Sequence, residues 1–542
     1  MSDEKESVIK PLKHFADLLT QTFKTQWLFI IILAVGIFAR TWDFDKTPPG
    51  LNPDEASIGV EAYYLYKFGM DRNGISYPVH LISWGSGQNA LYAYLIIPFV
   101  AANGLNAESI RFPMMLSGII SLPLVYYVGR RLFGKKYGLV VMFFLAISPW
   151  HIVNTRWAVE SNILPFLFLA GFAFLLIATD NGIWFIPACI CFSLCLYAYG
   201  TAYVAIPVFL LMSISAAIYL KIINIKYIFA GFLVFFLLSI PIALFVIINT
   251  FNLNTIHLGN VTIPRLPVEV RYELLAAVFK EEPLKAIANN LTIMINLLWK
   301  QEDTFAWNFV EPFGYFYKIT FPLAILGLFF LLNSFRNTRE KLFERWLLLA
   351  WIVSSLLIGV IHPVNLTRIN LIFTPILLCM VIGLLDLNKS MKYITPVTLA
   401  ALSVAFVFFT LTYHGESYQK RASEVFNEGI IPAIRYASDN STSLICVTEQ
   451  TRFAYIYTLF VKRYHPSEYL GRIEWILPLN HPFDPSRTPR ALGMFRFDLS
   501  DCAEKPDAAF VLKLKETPPN PNIEYKVKRF TKYEVYMPKV TP

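Results

Sequence analysis

The sequence has few charged residues for its length. Asp, Glu, Lys and Arg together make up 16% of its 542 residues, whereas soluble globular domains average about 25%. Hydrophobic residues make up 56% of the chain. This balance excludes a chain surrounded mainly by water. It predicts an integral membrane protein whose helices contact membrane lipids.

The sequence also lacks the common motifs of nucleotide-dependent and hydrolytic enzymes. It contains no Walker A motif, GxGxxG fingerprint, HExxH helix or nucleophile elbow. The formal net charge is +9, but many of the basic residues lie in short clusters between apolar runs, as in membrane proteins. No nucleic-acid-binding motif accompanies them. We therefore expect no nucleic-acid partner and no cytoplasmic nucleotide site.

Cysteine is scarce, and none of the six cysteines has the spacing of a metal site. Four of them lie in apolar runs, whereas Cys446 and Cys502 lie in the polar C-terminal region. A disulfide between these two requires that the region lies outside the cytoplasm. The sequence alone leaves this pairing open.

Eleven apolar stretches have the length of membrane-spanning helices. They lie near residues 23–41, 110–130, 138–154, 162–179, 183–200, 203–220, 228–248, 316–333, 346–361, 369–386 and 394–412. A further stretch, 89–103, is shorter and contains Pro98. If it does not span, every basic cluster between spans falls on the cytoplasmic side, as the positive-inside rule requires. We therefore predict that 89–103 is a helix lying on the membrane surface.

This topology places the N-terminus in the cytoplasm and the C-terminus outside. Residues 1–22 form a cytoplasmic amphipathic lead, with a helix over 8–24 on the inner leaflet, residues 23–412 form the transmembrane domain, and residues 413–542 form a small extracytoplasmic α/β domain. The external loops are 42–109, 155–161, 249–315 and 362–368. Within these regions we expect helices at Val268–Phe279, Pro283–Leu298 and 417–437, and strands at Leu444–Thr448 and Ala508–Leu514.

The first external loop contains an acidic pair, Asp54 and Glu55, directly before a predicted helix over Ala56–Phe68. One interpretation is structural, because Asp54 suits an N-cap or first-turn position where the helix dipole favours negative charge. The other is functional, because carboxylates at membrane level are costly and usually kept for a purpose.

Further polar candidates lie on the same predicted side of the membrane. Arg156 and Glu160 are four residues apart and would form an ion pair on a helix. Arg111 begins the second span, where its guanidinium would reach the interface. Arg368 is an external arginine suited to binding a phosphate, although anchoring to lipid headgroups is an alternative. His362 is a candidate metal ligand or a helix-capping residue.

Four segments in this order resemble the GT-C glycosyltransferases that use lipid-phosphate sugars. Within that class the chain is similar to glycosyltransferase family 39, which includes protein O-mannosyltransferases and lipid A aminoarabinose transferases. The similarity covers roughly residues 25–390. It rests on the segments NPDEA, SIRFPMMLSGIISLPLVYYVGRRLFGKKYG, SPWHIVNTRWAVESN and NLTRINLIFTPILLCMVIGL.

The resemblance implies a GT-C fold and a polyprenyl-phosphate sugar donor. It assigns acceptor activation to Asp54, with Glu55 as its neighbour, and places Glu160 near the site. Arg368, Arg156 and Arg111 would then bind the donor phosphate, and a divalent metal, with Asp54, Glu160 and His362 as candidate ligands, stays open. The acceptor would be a lipid, a glycan or a protein.

Two other functions remain as alternatives. A lipid or sugar transporter or flippase would show repeated halves and broken helices at the centre of the membrane, and no clear repeat is present. A non-catalytic assembly partner of the same fold is disfavoured by the intact acids. The leading interpretation is an inverting glycosyltransferase in a bacterial or archaeal plasma membrane, with its active site on the outer face.

Overall fold

The computed structural model describes residues 26–267, 282–303, 305, 307–337, 340–476 and 489–539. Three predicted elements therefore lie outside the described residues: the lead over 1–22, the helix over 8–24 and the helix at Val268–Phe279. All other predicted elements can be compared with the structure.

Helices dominate the first three quarters of the chain. In chain order they are α1 Gln26–Thr41, α2 Pro53–Phe68, α3 Leu91–Asn103, α4 Ala107–Phe133, α5 Lys135–Ile147, α6 Pro149–Asn154, α7 Leu164–Ala178, α8 Phe185–Ala198, α9 Ala202–Tyr219, α10 Ile225–Thr250, α11 Pro283–Lys300, α12 Phe321–Asn337, α13 Leu342–Ile361, α14 Leu366–Ile369, α15 Phe373–Ser390 and α16 Ile394–Tyr413. Short antiparallel ribbons pair β1 His80–Leu81 with β2 Gln88–Asn89 and β3 Ile256–Leu258 with β4 Val261–Ile263.

Each of the eleven predicted spans coincides with helix. Among the described residues, eight helical stretches are long and apolar enough to cross a membrane, and three apolar helices are shorter. The chain is thus an integral membrane protein of the predicted polytopic α-helical class. The span predicted over 138–154 is divided at Ser148 and Pro149 into α5 and α6.

The helices divide into an inner and an outer group. Helices α7 and α15 are mostly buried, whereas α10 and α16 expose most of their apolar surface. A helix that is apolar all round but exposed is stable only in hydrocarbon. The crossing of α12 and α15 depends on two small residues, Gly327 and Gly383, where a Cβ atom would meet the backbone of the other helix.

The stretch 89–103 forms helix α3, which packs on α2 and α4. It has 13 residues, and a helix of this length extends about 20 Å, short of the roughly 30 Å of a bilayer core. Its length agrees with the predicted surface helix. Its orientation in the membrane stays a prediction.

The C-terminal region folds around a sheet that is seven-stranded in the described residues, with order β10-β11-β9-β5-β8-β7-β6. The strands are β5 Ile445–Val447, β6 Ile473–Trp475, β7 Pro489–Leu492, β8 Phe495–Arg496, β9 Ala509–Lys513, β10 Tyr525–Arg529 and β11 Tyr533–Pro538. The helices are α17 Glu416–Val425, α18 Ile430–Asn440, α19 Ala454–Lys462 and α20 Pro466–Arg472.

Three expectations for this region can be compared with the structure. The two predicted strands are β5 and β9, which lie side by side and parallel. The helix predicted over 417–437 is two helices, because Asn427 and Gly429 between them adopt positive φ. Cys446 and Cys502 form a disulfide in the structure.

Candidate active site

One cavity of about 450 Å³ lies between the membrane helices and the C-terminal sheet. Three acids and three cations line it: Asp54, Glu160, Glu424, Arg368, Arg452 and Lys513. Six aromatic side chains also line it: Trp84, Trp157, Tyr199, Phe305, Trp307 and Phe453. Three residues that the sequence singles out therefore meet in one place, although each is at least 106 positions from the others: Asp54, Glu160 and Arg368.

The start of α2 positions Asp54. Asn52 is the N-cap and accepts a hydrogen bond from the Asp54 backbone N–H at 2.9 Å, and Pro53 occupies the first turn. Glu55 closes the capping box by accepting from the Asn52 backbone N–H at 3.1 Å. Asp54 is therefore a first-turn residue and not the N-cap. Its half-buried carboxyl group lines the cavity, near the positive end of the helix dipole.

Glu55 and Arg111 form a buried ion pair outside the cavity. The Arg111 guanidinium donates to both Glu55 oxygens, at 2.7 and 2.8 Å, and to the backbone oxygens of Pro48 and Gly50. Both side chains are at most 1% exposed. The predicted catalytic role of Glu55 and phosphate-binding role of Arg111 do not fit these positions, because no part of either charge faces the cavity.

Arg156 is also buried away from the cavity. Its guanidinium donates to the backbone oxygens of Ala39, Asp43 and Thr47 at 2.9–3.3 Å. The expected helical pairing of Arg156 with Glu160 does not form, because α6 ends at Asn154 and the next residues are not helical. Arg156 therefore stabilises the end of α1 and the start of the first loop. A phosphate-binding role does not fit its position.

Glu160 opens a 3-10 turn before α7 and reaches the cavity. Its carboxylate accepts a hydrogen bond from the Gln88 side chain at 2.9 Å, and Gln88 in turn accepts from the Ser83 hydroxyl. Gln88 was not identified from the sequence. It orients the Glu160 carboxylate from the first loop.

Arg368 lies on the short helix α14, which Asn365 caps through a bond from the Arg368 backbone N–H at 3.0 Å. Its guanidinium donates to the Pro363 backbone oxygen at 2.8 Å. Among the described residues no carboxylate forms an ion pair with Arg368. Asp303 holds this segment from the long loop, because its carboxylate accepts from the Leu366 N–H and the Asn308 amide.

The candidate metal ligands do not converge. Asp54 and Glu160 line the cavity, but His362 is not among its lining residues. No group of three or more His, Cys, Asp or Glu side chains placed to hold a metal ion is found in the part of the chain that the structure describes. Carboxylate oxygens are ligands that Mg²⁺ and Mn²⁺ accept. Of the three predicted ligands, Asp54 and Glu160 are therefore the two that could bind such an ion in this cavity.

The C-terminal region holds the segment that precedes Asp54. The Tyr457 hydroxyl donates to the Leu51 backbone oxygen at 2.8 Å, and Gln419 donates to the Thr47 hydroxyl at 2.8 Å. Gly50, with φ of 73°, packs so tightly against Phe426 and Glu428 that no Cβ atom fits. These contacts set the position of Asp54 from outside the membrane helices.

The C-terminal region also supplies cavity residues that the sequence analysis missed. Phe453 stacks on Trp84 of the first loop with ring centroids 4.1 Å apart, and the Arg452 guanidinium lies 4.9 Å from the Phe453 ring. Lys513 ends strand β9. Both strands were predicted from the sequence, and a ligand site commonly forms at the carboxyl ends of parallel strands. The parallel pairing of the two strands was the part that the sequence did not indicate.

A buried network of charged side chains packs against Trp84. The Arg72 guanidinium lies 5.1 Å from the Trp84 ring, donates to the Ser57 hydroxyl at 2.7 Å and pairs with Glu61 at 3.3 Å. Burial, together with the neighbouring Glu61 charge, raises the pKa of Asp71 to about 7. The first loop therefore contains an acid that titrates near neutral pH.

The chain combines apolar helices, a cavity lined by acids and arginines, and a C-terminal sheet. Residues 88–245 match the family model described as dolichyl-phosphate-mannose-protein mannosyltransferase. That part contains Gln88 and Glu160 but neither Asp54 nor Arg368. The family match and the fold together confirm the predicted resemblance to the GT-C glycosyltransferases.

Two solved structures are similar to this chain. The fold is similar to that of ArnT from Cupriavidus metallidurans bound to undecaprenyl phosphate, with a TM-score of 0.55 and 12% identity over 95% of this chain and 99% of that chain. The archaeal oligosaccharyltransferase AglB from Archaeoglobus fulgidus is similar at a TM-score of 0.49 and 14% identity, over 81% of this chain. This chain spans 64% of the length of AglB. No curated protein matches it in sequence.

Proposed function

We propose that the protein is an inverting glycosyltransferase that moves a sugar from a polyprenyl-phosphate carrier to a hydroxyl group of an envelope glycan, glycolipid or protein. The observation that carries the proposal is the cavity in which Asp54, Glu160 and Arg368 meet. The matched family of dolichyl-phosphate-mannose-protein mannosyltransferases and the undecaprenyl phosphate bound to ArnT support the donor class.

Asp54 is the proposed base. Its carboxylate would accept the proton of the acceptor hydroxyl while the hydroxyl oxygen forms a bond to the anomeric carbon of the sugar. The bond from that carbon to the phosphate oxygen breaks, and the polyprenyl phosphate leaves with the electron pair. Attack from the side opposite the phosphate inverts the anomeric centre.

Arg368 is the proposed phosphate-binding residue. A guanidinium matches the geometry of phosphate oxygens, and its charge stabilises the negative charge that grows on the leaving group. One of its N–H groups is held by the Pro363 backbone oxygen, which fixes the direction of the side chain. Glu160, oriented by Gln88, would bind hydroxyl groups of the sugar.

The proposed orientation places this cavity outside the cytoplasm. Arg111 and the first loop lie at the start of α4, whereas the basic cluster of Arg130 and Arg131 lies in its last turn. A helix of 27 residues extends about 40 Å. If the basic end faces the cytoplasm, the cavity lies on the other face, in a bacterial or archaeal plasma membrane, where a carrier lipid presents its sugar to envelope acceptors.

The experiment is donor turnover with a set of polyprenyl-phosphate sugars and three purified proteins: wild type, Asp54→Asn and Glu108→Gln. Glu108 is the matched control because it is also a first-turn acid, in α4, but is exposed and does not line the cavity. We expect sugar release by wild type and Glu108→Gln and a loss of at least 100-fold in Asp54→Asn, within the range for removal of a general base. Equal turnover by Asp54→Asn would refute the proposed base, and no turnover of any donor by wild type would refute the reaction.

A further inference from the structure

The C-terminal sheet presents the carboxyl ends of two parallel strands to the cavity. Strand β5 pairs with β9 in parallel, with Val447 opposite Val511. The segment after β5 contributes Gln450, Arg452 and Phe453 to the cavity, and the end of β9 contributes Lys513. In open sheets with parallel strands, ligands bind beside these carboxyl ends.

Glu516 joins the two strand ends into one wall. Its carboxylate accepts from the Thr448 hydroxyl at 3.0 Å and from the Lys513 backbone N–H at 2.6 Å. The Thr448 hydroxyl also accepts from the Gln450 backbone N–H at 3.1 Å. The segment after β5 and the end of β9 are thus held together before any ligand arrives, as a preorganised binding surface requires.

Two cations line this wall, Arg452 and Lys513. In the described part of the chain no carboxylate forms an ion pair with Lys513, and the Glu516 carboxylate is bound by the Thr448 hydroxyl and the Lys513 backbone N–H. The acid that lines the cavity from α17, Glu424, pairs with Lys532 at 2.7 Å. The donor phosphate already has Arg368 on the membrane side, so Lys513 gives the cavity a further cation on the side of the C-terminal sheet.

An aromatic surface adjoins these cations. Phe453 and Trp84 stack at 4.1 Å and both line the cavity. The Arg452 guanidinium lies over the Phe453 ring and the Arg72 guanidinium over the Trp84 ring. The stacked pair is therefore a rigid apolar part of the cavity wall, which lowers the entropic cost of binding. An aromatic platform beside a lysine and an arginine suits a sugar that carries an oxyanion.

We infer that this wall is the acceptor subsite and that the acceptor is an anionic glycan, whose phosphate or carboxylate group binds Lys513 and Arg452. The inference rests on the proposed function, since it names the acceptor of that reaction. The acceptor sugar lies beside the Phe453 and Trp84 pair, and its free hydroxyl faces Asp54. The C-terminal region is then part of the active site and selects the acceptor by charge.

The test measures the Kd of three probes, glucose 1-phosphate, glucuronate and glucose, by calorimetry with the full-length protein in detergent. Four proteins are compared: wild type, Lys513→Met, Arg368→Met and Lys526→Met. Lys526 is the matched control because it lies exposed on β10 of the same sheet and does not line the cavity. A thermal unfolding curve for each variant verifies that it is folded.

We expect at least one anionic probe to bind wild type more tightly than glucose, and Lys513→Met to raise its Kd at least tenfold while Lys526→Met leaves it unchanged. Whether this probe is glucose 1-phosphate or glucuronate identifies the oxyanion as phosphate or carboxylate. Equal Kd values for wild type and Lys513→Met, or no preference over glucose, would overturn the inference.

The Arg368→Met variant separates this inference from the proposed function. Loss of glucose 1-phosphate binding in Arg368→Met alone would place the probe at the donor phosphate position, which overturns the acceptor subsite and leaves the proposed reaction standing. Donor turnover by wild type, measured without acceptor, judges the reaction independently of these binding data.

Discussion

Replacing Glu55 by Gln tests whether Glu55, in the acidic pair with Asp54, has a structural role or a catalytic one. Glu55 accepts four hydrogen bonds: from the Arg111 Nε and Nη2 atoms, the Ala158 backbone N–H and the Asn52 backbone N–H. Each carboxylate oxygen accepts two of them. The amide nitrogen of Gln would therefore face two N–H donors in either orientation, and the buried Arg111 charge would lose its counter-ion.

The expected cost is large because both partners are almost fully buried. Removing one partner of a buried ion pair costs about 3–5 kcal/mol. The unfolding entropy of globular proteins is about 2.1 cal/mol/K per residue. For a chain of 542 residues, this entropy converts that cost into a fall in Tm of roughly 3–4 °C.

The assay is thermal unfolding in detergent, measured beside donor turnover, with Asp54→Asn as the paired variant. Asp54 lines the cavity and shares none of the bonds of Glu55, so Asp54→Asn should keep the wild-type Tm within about 1 °C and lose turnover. Glu55→Gln should show the lower Tm. If Glu55→Gln keeps the wild-type Tm and loses turnover, the structural role of Glu55 is refuted and it becomes a candidate catalytic acid.

Three further predictions concern other parts of the molecule. Arg368→Met should raise the donor KM about 10–100-fold, the loss expected for a charge-assisted hydrogen bond, as measured by turnover at varied donor concentration; an unchanged KM would exclude a phosphate contact. Because the folded state holds Asp71 with a pKa of about 7, stability contributed by its protonated form is present below about pH 4 and is lost as the pH rises towards 7. Asp71→Asn should therefore flatten the decline of Tm between pH 5 and pH 7, and an identical decline in wild type and variant would contradict this. The Cys446–Cys502 disulfide closes a loop with a sequence separation of 56, so the Cys446→Ser/Cys502→Ser double variant should lose about 4 kcal/mol of stability; free thiols at both positions in the protein purified without reductant would refute the pairing.

The membrane helices could be predicted because their cause is local. A run of about twenty apolar residues has few stable arrangements other than a helix in lipid, and this holds for each helix taken separately. Even the one irregularity, the division of the span over 138–154, coincides with the sequence Ser148-Pro149, where proline removes a helix hydrogen bond.

The arginines show where local reasoning fails. Arg111, Arg156 and Arg368 each stand near the end of an apolar run, and from the sequence each suited a phosphate site. Their environments differ because of residues far along the chain: Glu55 lies 56 positions from Arg111, and Thr47 lies 109 positions from Arg156. Only Arg368 lines the cavity. No periodic pattern in the sequence encodes these distant partners.

The C-terminal wall of the cavity was missed for a related reason. The strands containing residues 444–448 and 508–514 could be predicted from their composition, but their parallel pairing could not, because the chain between them makes a long crossover. Once β5 and β9 are neighbours, Arg452 and Lys513 follow at the same edge. The missing information was the order of the strands and not the identity of the residues.

The two adjacent acids differ in role because of helix geometry. Consecutive residues on a helix point about 100° apart, so at the start of α2 the side chains of Asp54 and Glu55 face different surroundings. Glu55 faces the interior, where the capping box with Asn52 and the pair with Arg111 fix the first turn. Asp54, with its backbone N–H bonded to the same Asn52, is thereby directed into the cavity. The buried acid thus holds in place the one that we propose reacts, which is why Glu55→Gln should lower the Tm whereas Asp54→Asn should lower turnover.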